Sequence, residues 1–321
     1  MSRVGSIGID VGGSKTLFAL LDSNMEVIEE IKIKTQGDDE KKFTDNLLES
    51  VHTLLERATE HGILISVVGV GCAGIIDTTR NVVKVSPNVP ALNGYSFRRV
   101  LRQLTSAIVR VYNDVNAALY GELKCGAAKG YKHVIGVFLG TGVGGAVAIG
   151  GKLHVGASHN AGNIGRFLIH PYGMITHSST FGILDSLASR TAITAEAAAL
   201  AARNRAPHLL ELSGTDLRRI KGSALAKAIR SGDKSVEDLV KSRAQLLGLA
   251  LSNIIDFLNP QMVVLGGGLT KAMPALIRTE VTAGIKAHAN PDAVRGLRVV
   301  TAKLGNHAVT IGAAKLALDE L

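Results

Sequence analysis

Tryptophan is absent from this 321-residue chain, and aromatic residues make up only 4% of it. Its core must therefore rest on Ala, Val, Ile and Leu. Nor do aromatics interleave with the basic residues, and those residues are scattered, with only short pairs such as Arg98-Arg99 and Arg218-Arg219. Both features argue against a nucleic-acid reader. Cysteine is nearly missing too. Cys72 and Cys125 are the only two, too few for a disulfide framework and most simply read as reduced, buried thiols. No apolar run reaches the ~18 residues that a spanning helix needs, so no membrane partner is expected. Met1–Ser6 runs directly into a strand pattern, so a secretory leader is not expected and a cytoplasmic location is. No low-complexity linker divides the chain. The two domains that its length suggests are expected to share an extensive hinge.

What is present fits a globular protein: 46% hydrophobic and 20% charged residues. The 36 glycines imply many tight turns or close backbone approaches. A net charge of +9 and a pI near 9.6 give a positive field suited to phosphorylated ligands.

Along the chain, Val4–Asp10, Thr16–Asp22 and Glu26–Lys34 read as a meander of strands. Asp38–Gly62 has apolar residues at helical spacing. Ser66–Cys72 and Ile108–Tyr112 are short buried strands, and a helix begins near Asp114. The pattern restarts at His133. Val134–Leu139 and Ala146–Ile149 flank a glycine turn, so strand, glycine turn, strand occurs twice, as in a weak internal duplication. Thr194–Arg203 and Lys234–Asn259 read as helices, the second stopped by Pro260. Met262–Leu265 and Leu297–Thr301 read as strands, and His307–Leu321 as a closing helix.

Four motifs carry chemistry. In Asp10-Val11-Gly12-Gly13-Ser14-Lys15-Thr16, a tight turn between strands exposes backbone N–H groups that can face phosphate oxygens. Asp10 could hold magnesium, directly or through water. An ordinary hairpin explains the same residues equally well. Leu139-Gly140-Thr141-Gly142-Val143-Gly144-Gly145 resembles a dinucleotide fingerprint, but that fingerprint opens a helix and a strand follows here. A glycine hairpin with a Thr hydroxyl suits a terminal phosphate, or is a plain structural turn. Val263-Val264-Leu265-Gly266-Gly267-Gly268-Leu269 ends a strand in three glycines before a helix near Thr270, where a base or ribose could lie on backbone. Asn113-Asp114-Val115-Asn116-Ala117-Ala118 joins a strand to a helix. Alone, Asp114 reads as a helix cap; beside two phosphate turns it reads better as a base facing a substrate hydroxyl.

In order and spacing these motifs resemble the ATPase fold shared by actin, hexokinase and the heat-shock chaperones, and more closely the ROK family of repressors, open reading frames and kinases. Asp10–Thr16 and Leu139–Gly145 match its phosphate motifs, with Gly151-Lys152-Leu153 and Gly156-Ala157 continuing the second. Asn113–Ala118 matches its catalytic segment and Val263–Leu269 its adenosine motif. The resemblance implies an α/β, two-domain actin-like (ribonuclease H-like) fold with a cleft between the domains. We place residues 1–118 plus 303–321 in a smaller domain and 119–302 in a larger one. It also implies an ATP- and Mg2+-dependent sugar kinase with Asp114 as general base. Asp10, Gly12, Gly13, Thr16, Gly140, Thr141, Gly142, Gly266 and Gly267 would bind nucleotide, and Asp10 would help place the metal. Asn88, Asn113, Asn163, Arg166 and Asp185 would face the sugar. A homodimer is expected on the same ground.

The chain departs from the family in one stretch. Family kinases carry Glu-x-Gly-His, whose His also ligates a structural zinc; here the residues are Asn163-Ile164-Gly165-Arg166. The family's Cys-x-Cys-Gly-x-x-Gly-Cys cluster is missing from Thr176–Ile183. Arg is no zinc ligand, and His170 and His177 do not make a four-ligand site, so no zinc is expected. Asp185 aligns with a family Glu one methylene longer. A neutral hexose remains feasible, since Asn can donate and accept hydrogen bonds, but the positive shift suits a sugar bearing a carboxylate or phosphate that Arg166 could pair with; alternatively Arg166 turns outward to an ordinary ion pair. A family transcription regulator would need a winged helix-turn-helix ahead of the first motif, and Asp10 arrives too early for one. A non-catalytic sugar-binding relic is the remaining alternative.

Overall fold

The structure, a computed structural model, describes residues 3–170 and 182–321. It divides into two units. The first comprises residues 1–131, 151–161 and 302–321, and the second 132–150 and 162–301.

In the first unit, β1 (Arg3–Val11), β2 (Lys15–Leu21) and β3 (Val27–Lys34) form the expected antiparallel meander. β4 (Ile63–Cys72) pairs in parallel with β1 on its other side, β5 (Ile75–Asp77) and β6 (Val82–Val85) make a separate hairpin, and β7 (Ile108–Asn113) pairs in parallel with β4. The main sheet therefore runs β3-β2-β1-β4-β7. α1 (Glu40–Glu60), capped by the Asp39 carboxylate accepting from Lys42 N, buries Phe43, Leu47, Val51, Leu54 and Ala58 along one stripe. That stripe shares a core with Ile7, Ile9, Phe18, Val68, Val70 and Val111 of the sheet. Beyond α1, α2 (Phe97–Leu101) packs near Tyr95, and the rings of Phe43, Tyr95 and Phe97 meet edge to face at 4.9–6.1 Å.

α3 (Asp114–Cys125) and the C-terminal helix Ala308–Asp319 cover the other face of this sheet. They approach so closely that a Cβ at Gly8 would stand 2.1 Å from Thr310 O, and one at Gly312 would stand 1.7 Å from Ala117 O. At these two glycines backbone packs directly on backbone. The expected domain boundary at residue 118 falls inside α3, which the structure keeps whole in the first unit, where it packs against the C-terminal helix. Cys72 is buried as expected, whereas Cys125 at the end of α3 is partly exposed; both are free thiols.

The second unit repeats the pattern of an antiparallel hairpin flanked by a parallel strand. β8 (Val134–Leu139) and β9 (Val143–Ile149) form the hairpin, Met262–Gly266 pairs in parallel with β8, and Arg298–Thr301 pairs in parallel beyond it. α4 (Leu184–Ala188) and α5 (Arg190–Ala202) follow the sheet hairpin in sequence. The long helix Lys234–Leu258 ends where Asn259 turns left-handed at φ 44° ahead of Pro260, as its sequence requires. It packs along Pro274–His288. Leu247, Leu251, Ile277, Val281 and Ile285 join Val137, Val263 and Leu265 in one core.

Candidate active site

In the first unit the chemistry gathers where parallel strands end. β1 delivers Asp10, and the first glycine turn follows at once. Gly12 N donates to Lys15 O at 3.1 Å, and Thr35 Oγ1 donates to Gly12 O at 2.8 Å. Thr16, expected among the phosphate-binding residues, is instead fully buried, with its hydroxyl 2.9 Å from that of Thr35. It pairs with Val11 across the hairpin and faces inward, so it braces the turn from behind. Gly13 remains exposed. Asn88 backs onto it, since a Cβ at Gly13 would lie 3.1 Å from Asn88 Cβ.

β7 ends at Asn113 and α3 begins at Asp114. The sequence left open whether Asp114 caps this helix. The cap is Asn113, whose Oδ1 accepts from Val115 N at 3.0 Å and from Asn116 N at 3.1 Å. Its Nδ2 donates to Gly74 O and to Asp114 Oδ1, both at 3.1 Å. With both polar atoms so engaged, Asn113 holds the start of α3 and positions Asp114.

Asp10, next to the last residue of β1, and Asp114, just past the end of β7, belong to strands separated only by β4, through the register Asp10–Gly71–Tyr112. Burial, and next the charge of Asp114, push the Asp10 carboxyl up to about 7, with Lys15 opposing. Burial likewise raises Asp114, against hydrogen bonding from backbone N–H groups. Both keep some surface open to solvent. A raised, solvent-reachable carboxylate suits a general base working near neutral pH. The neighbouring Cys72 thiol is pushed up mainly by burial and is inert.

In the second unit, Gly140 N donates to Gly142 O at 2.9 Å and closes the second glycine turn. Asp185, expected to face sugar, reaches this turn: its Oδ1 accepts from Val143 N at 2.6 Å. The short turn Ile164–Arg166 packs on the same place, because a Cβ at Gly165 would stand 2.4 Å from Val143 O and 3.5 Å from Asp185 Cβ. Asn163 and Arg166 flank Gly165 and are exposed, and Arg166 pairs with no carboxylate among the described residues. The third glycine motif adjoins the second. Gly267 has φ 87°, and a Cβ there would lie 2.4 Å from Leu139 O. The following helix, Gly267–Ala272, begins three residues before the expected Thr270.

Sequence reasoning missed Arg190 and Thr191. Arg190 Nη2 donates to Thr141 Oγ1 at 3.0 Å, and Thr191 Oγ1 donates to Thr141 O at 2.7 Å. The signal in the sequence was Ser189, a helix N-cap whose Oγ accepts from Ala192 N. His177 and residues 176–181 of the expected cysteine-cluster segment lie outside the described residues, and His170 is exposed. Among the described residues no three His, Cys, Asp or Glu side chains gather as a metal site, and no helix is long and apolar enough to cross a membrane. An apolar cavity of about 260 Å³ lined by Val134, Ile149, Phe257 and Pro260 sits at the end of β8 opposite the glycine turn and holds none of the residues just described.

Two sheets, each led by an antiparallel hairpin and extended by parallel strands, define the two-domain actin-like ATPase fold. The chain belongs to the ROK family, whose model matches residues 6–320. It is 30% identical over 317 residues to a glucokinase of Streptomyces coelicolor, covering 98% of each chain. The crystal structure of a ROK family glucokinase from Streptomyces griseus, in complex with glucose and AMPPNP, superposes with a TM-score of 0.84 at 28% identity, covering 98% of this chain and 99% of that one. A ROK family transcriptional regulator, a homologue of the E. coli MLC protein, superposes at 0.86 with 20% identity over 98% of this chain and 78% of its own, a likeness of fold.

Proposed function

We propose that this chain is an ATP-dependent sugar kinase in which Asp114 accepts the proton of a sugar hydroxyl as that oxygen attacks the γ-phosphorus. The observation that carries this reading is the division of labour at the start of α3. Asn113 caps the helix and donates to Asp114, which leaves the Asp114 carboxylate oriented, raised in pKa and open to solvent. Phosphoryl transfer needs little covalent help from a protein, so positioning and charge neutralisation do most of the work. In this reading the Gly12-Gly13 turn and the backbone N–H groups at Gly140–Gly142 bind phosphate, and Gly266-Gly267 offers a glycine platform for adenosine. Both glucokinase relatives support ATP as donor and a hexose as acceptor.

Magnesium fits what Asp10 offers: a desolvated carboxylate beside a second one, which a cation would favour in its ionised form. Asp10 would hold the ion, directly or through water, and the ion would neutralise phosphate charge. The pair of exposed residues Asn163 and Arg166 supports a modified sugar carrying an anionic group. The same reading makes the protein a cytoplasmic homodimer that needs no nucleic-acid or membrane partner; sedimentation analysis checks the dimer. A second reading, a non-catalytic sugar-binding member of the family, draws on those same two residues where family kinases carry Glu and His.

ADP release measured across neutral sugars, amino sugars and sugar acids separates the two readings. Turnover of any of them, lost in Asp114→Asn by roughly 10²- to 10⁴-fold in kcat as expected for a general base, supports the kinase. Sugar binding without ADP release supports the relic, and turnover that survives in Asp114→Asn would remove Asp114 from its role.

A further inference from the structure

The second glycine turn is built against the start of α5, and this fixes which way its peptides face. Arg190 N donates to Gly140 O at 3.3 Å, while Thr191 N and Oγ1 donate to Thr141 O at 3.4 and 2.7 Å. In a trans peptide the N–H points opposite to the C=O. The N–H groups of Thr141 and Gly142 therefore point away from α5, side by side, and neither has a protein acceptor among the described residues. Two successive N–H groups presented this way form a concavity for an anion.

Arg190 brings a cation to the same turn. Its Nη2 donates to Thr141 Oγ1 at 3.0 Å, which holds the guanidinium alongside the exposed edge of the turn. A guanidinium carries five N–H donors, and Thr141 uses one. No carboxylate lies within ion-pair distance of Arg190 among the described residues. Arg243 provides an internal contrast: its Nη2 reaches both oxygens of Glu196, on the same α5, at 2.6 and 2.7 Å. One arginine is held in a structural ion pair, whereas the other has its guanidinium on a hydroxyl of the glycine turn.

From this we infer that Arg190 is a phosphate-binding residue, taking an oxygen of the nucleotide's terminal phosphates beside the N–H groups of Thr141 and Gly142. The inference rests on the kinase reading, because the anion is the phosphate chain of the donor. Thr141 has a second duty in consequence, since its hydroxyl orients the guanidinium and its carbonyl orients the turn.

Calorimetric titration of the full chain with ATP, ADP and adenosine tests this without requiring turnover. Arg190→Ala should weaken ATP and ADP about 10- to 100-fold, the usual scale for a hydrogen bond to a charged group, and leave adenosine unchanged. Arg190→Lys keeps the charge and Arg190→Gln keeps a donor for Thr141. Recovery of ATP affinity by Lys but not by Gln, with melting temperatures alike, is the expected result. Recovery by Gln as full as by Lys would reduce Arg190 to a brace for Thr141 and overturn the inference. Equal losses for adenosine and ATP would do the same. A wild-type chain that binds adenosine and ATP equally would also overturn it, whereas a wild-type chain that binds ATP with phosphate-dependent affinity yet turns over no sugar would sink only the kinase reading.

Discussion

Asp185 Oδ1 accepts from Val143 N at 2.6 Å, so a side chain at the start of α4 holds the far end of the second glycine turn, 42 residues away in sequence. The same carboxylate lies within 2.6 Å of where a Cβ on Gly142 would stand. The contact makes a specific prediction. Asp185→Asn retains an oxygen for Val143 N, whereas Asp185→Ala leaves that N–H without its partner at a cost of about 1–3 kcal/mol. If the turn binds phosphate, Asp185→Ala should raise KM for ATP roughly 5- to 100-fold, and Asp185→Asn should raise it far less. A sugar-binding role predicts the opposite signature, with KM for the sugar rising in both variants while KM for ATP stays put. Steady-state kinetics with each substrate varied in turn decides between them.

Asp10 predicts a pH dependence of stability. Its folded pKa of about 7 lies above the ordinary 3.8, so between those values the folded chain holds more protons than the unfolded chain. Stability therefore falls as pH rises through that window. The accumulated penalty is on the order of 4 kcal/mol once Asp10 is ionised. Asp114, also raised, acts in the same direction. Asp10→Asn removes the Asp10 part. Its melting temperature should match wild type near pH 4 and exceed it increasingly towards pH 8, in buffer without divalent cations. A difference that stays flat over this range would contradict the raised pKa.

Much of this architecture is legible in the sequence because periodicity and punctuation agree. Phe43, Leu47, Val51 and Leu54 mark one face of α1, and Pro260 marks the end of the long helix. Asp114 is legible as a candidate because an apolar strand hands directly to a helix at a carboxylate. Thr16 is not: β2 is buried from Thr16 to Leu21, so no alternation shows which way the hydroxyl points. Asn113 and Asp114 are adjacent and both can cap a helix, and only coordinates separate the two roles. Asp185, Arg190 and the second turn meet through contacts spanning 42 to 50 residues, which no local pattern carries. The helix Pro274–His288 did announce itself through a proline in its first turn, a signal our reading of the sequence passed over.

Glu122 predicts a stability effect remote from any ligand. It is fully buried, and its two oxygens accept from Ala127 N at 2.7 Å and Leu304 N at 2.8 Å. The carboxylate thus ties the end of α3 to the segment leading into the C-terminal helix. Glu122→Gln would turn an N–H₂ towards one of those N–H groups, leaving a buried donor unpaired at about 1–3 kcal/mol. Urea unfolding should show a lower midpoint with an unchanged slope, and nucleotide affinity should be unaffected. An unchanged midpoint would mean that the amide finds other partners.

The final prediction concerns metal. In this chain the Glu and His of the family's zinc-linked stretch are Asn163 and Arg166, and no cysteine lies in residues 176–183. A structural zinc takes about four N or S ligands, and a protonated guanidinium cannot be one. Protein purified without added metal should therefore contain well under one zinc per chain by plasma emission spectrometry. Dialysis against EDTA should leave its melting temperature unchanged, because a bound structural metal contributes its binding free energy to folding. Activity should vanish on the same dialysis and return with Mg2+ alone, since Asp10 and the donor's phosphates would hold that ion. A stoichiometric zinc whose removal lowers the melting temperature would show that ligands other than the missing cysteines have taken over the site.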